Sequence, residues 1–290
     1  MMMLGQKRIL SENSKGSLLI IAAMAIFSLY GVFVRSIKAS PEIILFFNAL
    51  IVALIFRFIF FKNRENFNIK KHWLMILALG AVFVGNNFFF FTAFKFTTMS
   101  NAILAHYTAP IFVAVLAPFL LKERMEKNSW IALFLSFIGL IILGIKGLAL
   151  SHNDLLGILF GTGSGLMYGL SIIVYKYLLR DLSVLTLIFY QSLLGSLILA
   201  PFIAPQITLS LPFLWFVAFA LLFGIIATFL HFQGMKRVKA QHAGIIGYSE
   251  PLFGTIYGFL FFAEKPTIAT AIGGGLIVLG GFIILRNQNH

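Results

Sequence analysis

Apolar residues along this chain neither alternate nor recur every third or fourth position. They run for about twenty residues at a time and are cut by short polar clusters. A helix rises about 1.5 Å per residue and the hydrocarbon core of a bilayer is about 30 Å thick, so runs of this length are what spanning helices need. Ten spans are predicted, at 17–37, 42–61, 73–94, 98–120, 129–147, 154–179, 184–203, 212–236, 240–262 and 266–285. They take up most of the 290 residues and leave no room for a soluble domain. Strands of a membrane barrel would be about half as long and would alternate, so the expected fold is an all-α, multi-pass integral membrane protein.

Composition agrees: 60% of residues are hydrophobic and 11% charged, against about 25% charged in a soluble domain. The N-terminal MMMLGQKRILSENSKG has the basic character of a signal peptide. The apolar run after it is long and ends in no convincing cleavage site, which predicts a retained first span. With no cysteine, disulfides, thiolate metal sites and cysteine nucleophiles are ruled out. A net charge of +13 could suggest a nucleic-acid partner, but the positions of the basic residues say otherwise. With the N-terminus inside, sixteen lysines and arginines fall in inner loops and five (Arg35, Lys38, Lys95, Lys146 and Lys265) in outer ones. That bias places both termini in the cytoplasm and makes the charge a topology signal, with no nucleic acid expected.

The sequence also repeats. Offset by 141 residues, Thr92–Gly144 aligns without a gap on Gln233–Leu285, and the matches that matter are not aliphatic: Lys95 with Lys236, Tyr107 with Tyr248, Pro110 with Pro251, Glu123 with Glu264, Gly139 with Gly280. At a slightly different offset Tyr30-Gly31 aligns with Tyr168-Gly169. This divides the chain into a first five-helix repeat at 17–147 and a second at 154–286. Five is odd, so the second copy enters the membrane from the opposite side. Inverted repeats give a secondary transporter two near-equivalent conformations with the substrate site between them at the midplane.

The runs NAILAHYTAPIFVAVLAPFLLKER and AGIIGYSEPLFGTIYGFLFFAEK resemble the two copies of the EamA-type repeat of the drug/metabolite transporter superfamily. The resemblance covers about residues 17–285. It implies ten helices in a five-plus-five inverted arrangement, peripheral fifth and tenth helices, a central cavity, and export or exchange of small metabolites such as amino acids. The second copy has the Glu-Pro pair of that family, whereas the first has Ala109-Pro110.

Several intramembrane residues are candidates for chemistry. Pro110 and Pro251 lack an N–H and push away the carbonyls of His106 and Gly247, predicting kinks whose freed backbone faces protein or a wet cavity. Glu250 lies near the midplane, where an ionisable group points to a proton carrier or a counter-ion for a substrate amine. His106, at similar depth, could take part in proton coupling, pair with Glu250, or simply bond a neighbouring helix. Asn86, Asn87 and His231 add amides and an imidazole at cavity depth, with only one of the adjacent asparagines expected to face inward. Tyr30, Tyr107, Tyr168 and Tyr248 suggest a shared aromatic lining suited to a cationic or zwitterionic amphiphile. Interhelical hydrogen bonds are the alternative account of each polar residue. Gly157, Gly161, Gly165 and Gly169 form a stripe for close helix packing, and Gly273-Gly274-Gly275 suggests another, between spans or between the subunits of a homodimer.

HExxH, GxSxG and the GxxxxGK loop are missing, as is any His/acid cluster at metal spacing, so no enzyme, cofactor or metal is expected. The expected function is a secondary transporter of small metabolites (amino acids, amines or related amphiphiles), exporting or exchanging them across a bacterial-type inner membrane by alternating access. Its expected partners are a small-molecule substrate, the lipid bilayer and protons. The competing readings are a passive facilitator or channel, an importer of a metabolite such as a nucleoside derivative, and a lipid-handling membrane protein.

Overall fold

The computed structural model describes residues 11–30, 32–33, 39–63, 69–144, 154–203, 213–263, 265 and 267–287. Among these every regular element is a helix. Span one is Glu12–Ser28, span two Pro41–Asn63, and span three Trp73–Phe96. Span four comprises Met99–His106 and Ala109–Leu120, and span five is Lys127–Gly144. Spans six and seven are Asp154–Leu178 and Val184–Ile203. Span eight runs through Phe213–Phe219, a π-helical stretch Ala220–Ala227, and Thr228–Arg237. Span nine comprises Ala240–Gly247 and Ser249–Phe262, and span ten is Ile268–Asn287. Among the described residues nine helices, spans two to ten, are long and apolar enough to cross a membrane. Expectations on Gly31, Arg35, Lys38, Lys146 and Glu264 fall outside the described residues.

Local chemistry explains most boundaries. Span one begins several residues before the expected start, because Ser11 Oγ accepts the Ser14 N–H at 3.1 Å and extends the helix into its polar flank. Thr98 caps span four in the same way, accepting the Asn101 N–H at 3.2 Å. Spans four and nine both end in left-handed backbone, at Lys122 (φ 59°) and Ala263 (φ 55°). These are the described non-glycine residues with positive φ, and they stand 141 positions apart, at the sequence offset of the repeat. The repeat is therefore written in the backbone at a conformation that costs an ordinary residue about 1 kcal/mol or more.

The main helix contacts pair elements of opposite repeats. Span one packs on spans eight and nine, and span six packs on spans three and four. Span two packs on span seven, and span five on span ten. Each contact has its exchanged twin, as a pseudo-two-fold relation between two halves requires. Glycines make the closest approaches. A Cβ on Gly139 would lie 2.6 Å from the Gly273 carbonyl oxygen, so spans five and ten touch backbone to backbone. Gly273 thus packs inside the chain, against span five, and not against another subunit.

One end of the bundle is stitched by charge. Lys176 Nζ, from span six, donates to the Met235 carbonyl at 2.8 Å and to that of Val238, closing the C-terminal end of span eight. Arg180 Nη2 does the same for span four through the Leu121 carbonyl at 3.1 Å. Glu123 Oε2 accepts the Ala240 N–H at 2.7 Å, capping the start of span nine. Glu126 pairs with Lys239, whose hydrogen bond holds the carboxyl below its usual 4.5. Asp181 is lowered likewise by its hydrogen bond from Lys71, with His72 also 3.0 Å away.

Candidate functional site

Spans four and nine break in mid-membrane at the two prolines. In span four the Tyr107 and Thr108 N–H groups turn back to Ile103 and Ala105, and Thr108 Oγ1 donates to the Ala105 carbonyl at 2.6 Å. In span nine the Tyr248 N–H goes to Ile245 at 3.2 Å, and span one contributes Ser28 Oγ, which donates to the Glu250 carbonyl at 2.5 Å. At each break a hydroxyl bonds a backbone carbonyl, Thr108 within span four and Ser28 across from span one. The breaks also meet: Tyr248 Oη donates to the Tyr107 carbonyl at 3.0 Å.

Beside them lies a cavity of about 530 Å³. Spans one to four and six to nine contribute to its lining, and spans five and ten do not, as expected for peripheral helices. Tyr30, Asn86, Asn87, His106, Tyr107, Tyr168, His231, Glu250 and Pro251 all line it. Tyr248 does not; it is fully buried behind the wall, with its hydroxyl turned to Tyr107. Pro110 also stands away from the cavity, buried against span nine so that a Cβ on Gly244 would lie 3.4 Å from it. Asn86 and Asn87 both reach the lining, because Asn87 folds back to donate to the Phe83 carbonyl at 2.8 Å while Asn86 turns towards span six. Gln233, near the C-terminal end of span eight, is engaged by Arg237.

The polar groups form two sets. The Tyr107 side chain and the Glu250 carboxyl line the cavity side by side, and His106 bonds elsewhere. His106 Nδ1 lies 2.8 Å from Ser164 Oγ, which donates to Asn86 Oδ1 at 2.8 Å. The imidazole is fixed further by Tyr168, stacked at 5.2 Å and 25°, and by Phe90 at 4.8 Å. Across the cavity Tyr30 meets Phe219 at 5.0 Å and Phe223 at 5.8 Å, the latter from the π-helical stretch. Thr228 Oγ1 satisfies the carbonyl of Phe223 at 2.8 Å, five residues back. Asn48 Oδ1 and Gln191 Oε1 have no hydrogen-bond partner among the described residues.

Among the described residues that line it there is no lysine or arginine, and Glu250 is the one carboxylate. Such a wall can stabilise a positive charge through Glu250 and aromatic faces, and offers an anion amides, hydroxyls and imidazoles but no fixed positive charge. Ser28 and Ser164 are the functional candidates that sequence reasoning passed over. Ser164 sits inside the glycine stripe, where a small hydroxyl reads as packing. The signal was that a stripe built for close approach brings its one hydroxyl within bonding reach of whatever it packs on. The stripe itself packs on span four: a Cβ at Gly165 would lie 2.7 Å from the His106 carbonyl oxygen and from Thr108 Oγ1.

Comparison with known proteins agrees with this architecture. A protein of Archaeoglobus fulgidus described as an uncharacterized transporter is 32% identical over 197 residues, which cover 68% of this chain and 71% of that protein. A second from the same organism, with the same description, is 25% identical over 296 residues, covering 96% of this chain and all of that one. The uncharacterized transporter YxxF of Bacillus subtilis is 26% identical over 226 residues, covering 76% and 72%. A protein crystal structure superposes with a TM-score of 0.80 at 19% identity over 95% of this chain and 99% of that one, which shows the shared fold. Residues 14–145 and 155–286 each match the EamA-like transporter family. Two such domains make this a multi-pass membrane transporter and not an enzyme, and the chain belongs to the EamA-like transporter family.

Proposed function

We propose that this transporter is a secondary carrier of small amine-bearing metabolites (amines, amino acids or related amphiphiles), and that it exports or exchanges them by alternating access. The two five-helix units, 17–147 and 154–286, lie inverted in a bacterial-type inner membrane, with both termini cytoplasmic. Tyr30, Asn86, Asn87, His106, Tyr107, Tyr168 and Glu250 hold the substrate, with His231 at the far wall, and Glu250 exchanges the coupling proton with His106 as its neighbour. The observation that carries this reading is a carboxylate at a helix break, inside an aromatic cavity whose described lining has no lysine or arginine.

Counterflow in proteoliposomes, screened over amines, amino acids, nucleosides and sugars with and without a pH gradient, tests it. Amine-bearing substrates are expected to exchange, and a proton gradient to drive their accumulation. Glu250→Gln is expected to flatten the pH dependence of uptake. A mutant that keeps the wild-type pH profile removes Glu250 from the mechanism, and exchange confined to sugars or nucleosides sinks the substrate class.

A further inference from the structure

We infer that Ser164 and Asn86 hold His106 in its Nδ1–H tautomer, so that Nε2 faces the cavity as a hydrogen-bond acceptor and selects substrates whose head group carries N–H donors. This rests on the transport reading above and names the chemistry its site would recognise.

A serine hydroxyl has one hydrogen. In Ser164 it is given to Asn86 Oδ1 at 2.8 Å, and the same oxygen lies 2.8 Å from His106 Nδ1. With that hydrogen committed, the contact to His106 is a bond only if Nδ1 carries a proton and donates it to Ser164 Oγ. The neutral ring then has its lone pair on Nε2 alone. Phe90 and Tyr168 hold the plane of the ring on either side, and the residue lines the cavity. Ser164 is fully buried, so water does not compete for the relay. A second acceptor stands nearby: the Glu250 carboxyl lines the same cavity as Tyr107, His106 and Tyr168, the last stacked on His106. Two acceptors around one aromatic platform fit a primary ammonium or an amidinium, which supply several N–H groups and a positive charge. A quaternary ammonium meets the charge requirement and the aromatic faces but gives His106 nothing to accept. Ser164 and Asn86 are positioning residues; His106 is the residue that determines specificity.

Two measurements on the purified full-length chain test the proposal. Histidine side-chain ¹⁵N correlation spectra, with His106 assigned by its loss in His106→Phe, are expected to show a protonated Nδ1 and a bare Nε2. Ser164→Ala is expected to move the signal towards the Nε2–H form. Equilibrium dialysis is then run with 2-phenylethylamine and with its N,N,N-trimethyl derivative, which keeps the charge and has no N–H. Ser164→Ala and His106→Phe are each expected to weaken the primary amine about fivefold, the worth of one hydrogen bond, and to leave the trimethyl derivative within about twofold. An Nε2–H tautomer in the wild type, which would follow from a reversed relay with the Asn86 amide turned, overturns the proposal. So does equal weakening of both probes, or failure of the wild type to bind either. If the tautomer and the discrimination hold while no amine exchanges in proteoliposomes, the transport reading falls and this one stands.

Discussion

Spans four and nine break at the same place, after Tyr107 and Tyr248, and end in the same left-handed turn, yet different things lie against the two breaks. Span four is pressed by the glycine stripe of span six: Ala109 is fully buried, and Gly165 and Gly169 sit on the carbonyls of His106 and Ala109. Span nine meets span one through a side chain, Ser28, and nothing lies within 4 Å of where a Cβ would stand on Gly247 or Gly254. One break is sealed by backbone contact; the other leaves room for a carboxylate at the edge of the cavity. The repeat thus dictates the bend, and the volume of the neighbouring helix decides whether that bend can carry chemistry. This is why Glu250 has no counterpart at position 109.

Placing a carboxylate on the sealed side tests that contrast most severely. Ala109→Glu would bury an unpaired acid where no space exists, at a cost of several kcal/mol, and is expected to abolish monodisperse protein in detergent. Size-exclusion profiles matching the wild type would show that span four is not sealed. Next in size, Gly165→Ala drives a methyl to 2.7 Å from two oxygens and is expected to cost about 1–3 kcal/mol, whereas Gly254→Ala should stay within about 0.5 kcal/mol. Thermal midpoints of the pair read the difference directly, and equal midpoints would dissolve it. Tyr248→Phe removes the bond that ties the two breaks together and is expected to cost about 1 kcal/mol in the same assay.

The smallest effect is expected at the stitched end. Glu126 is held below its usual 4.5 by Lys239, so the pair is fully present at neutral pH and is lost only as pH falls through that lowered value. Both partners are over two-fifths exposed, and Glu126→Gln should therefore cost at most about 1 kcal/mol at pH 7 and nothing once acid has protonated the carboxyl in the folded protein. A cost that persists in acid would mean that packing, and not charge, closes that end.

Much of this was legible in the sequence because length and apolarity alone select spanning helices. The span limits fall within a few residues of the helices observed, apart from span one, whose polar first turn is helical only because Ser11 caps it. The halves, the kinks and most of the cavity wall were legible for a related reason: tyrosine, proline and glutamate are conspicuous against an aliphatic background. What the sequence concealed depends on rotation about helix axes. Tyr248 and Tyr107 are repeat-related, yet one faces the cavity and the other backs it. Asn86 and Asn87 both reach the lining because one folds onto its own helix, which spacing cannot report. Ser164 was hidden among the glycines that bring it to His106.

The π-helical stretch in span eight has a consequence for any cycle in which the two halves trade shapes. Span three, its counterpart, is α-helical throughout and supplies Asn86 and Phe90, whereas span eight brings Phe223 to the same cavity from a wider, locally unwound coil. A π turn marks an extra residue accommodated within a helix, so it belongs to its own stretch of chain and cannot be handed to a partner. In such a cycle the halves would be unequal springs, and the two facings of the cavity would differ in energy before any substrate arrives. A carrier working by such a cycle would have a resting side, fixed by one π-helical stretch of backbone.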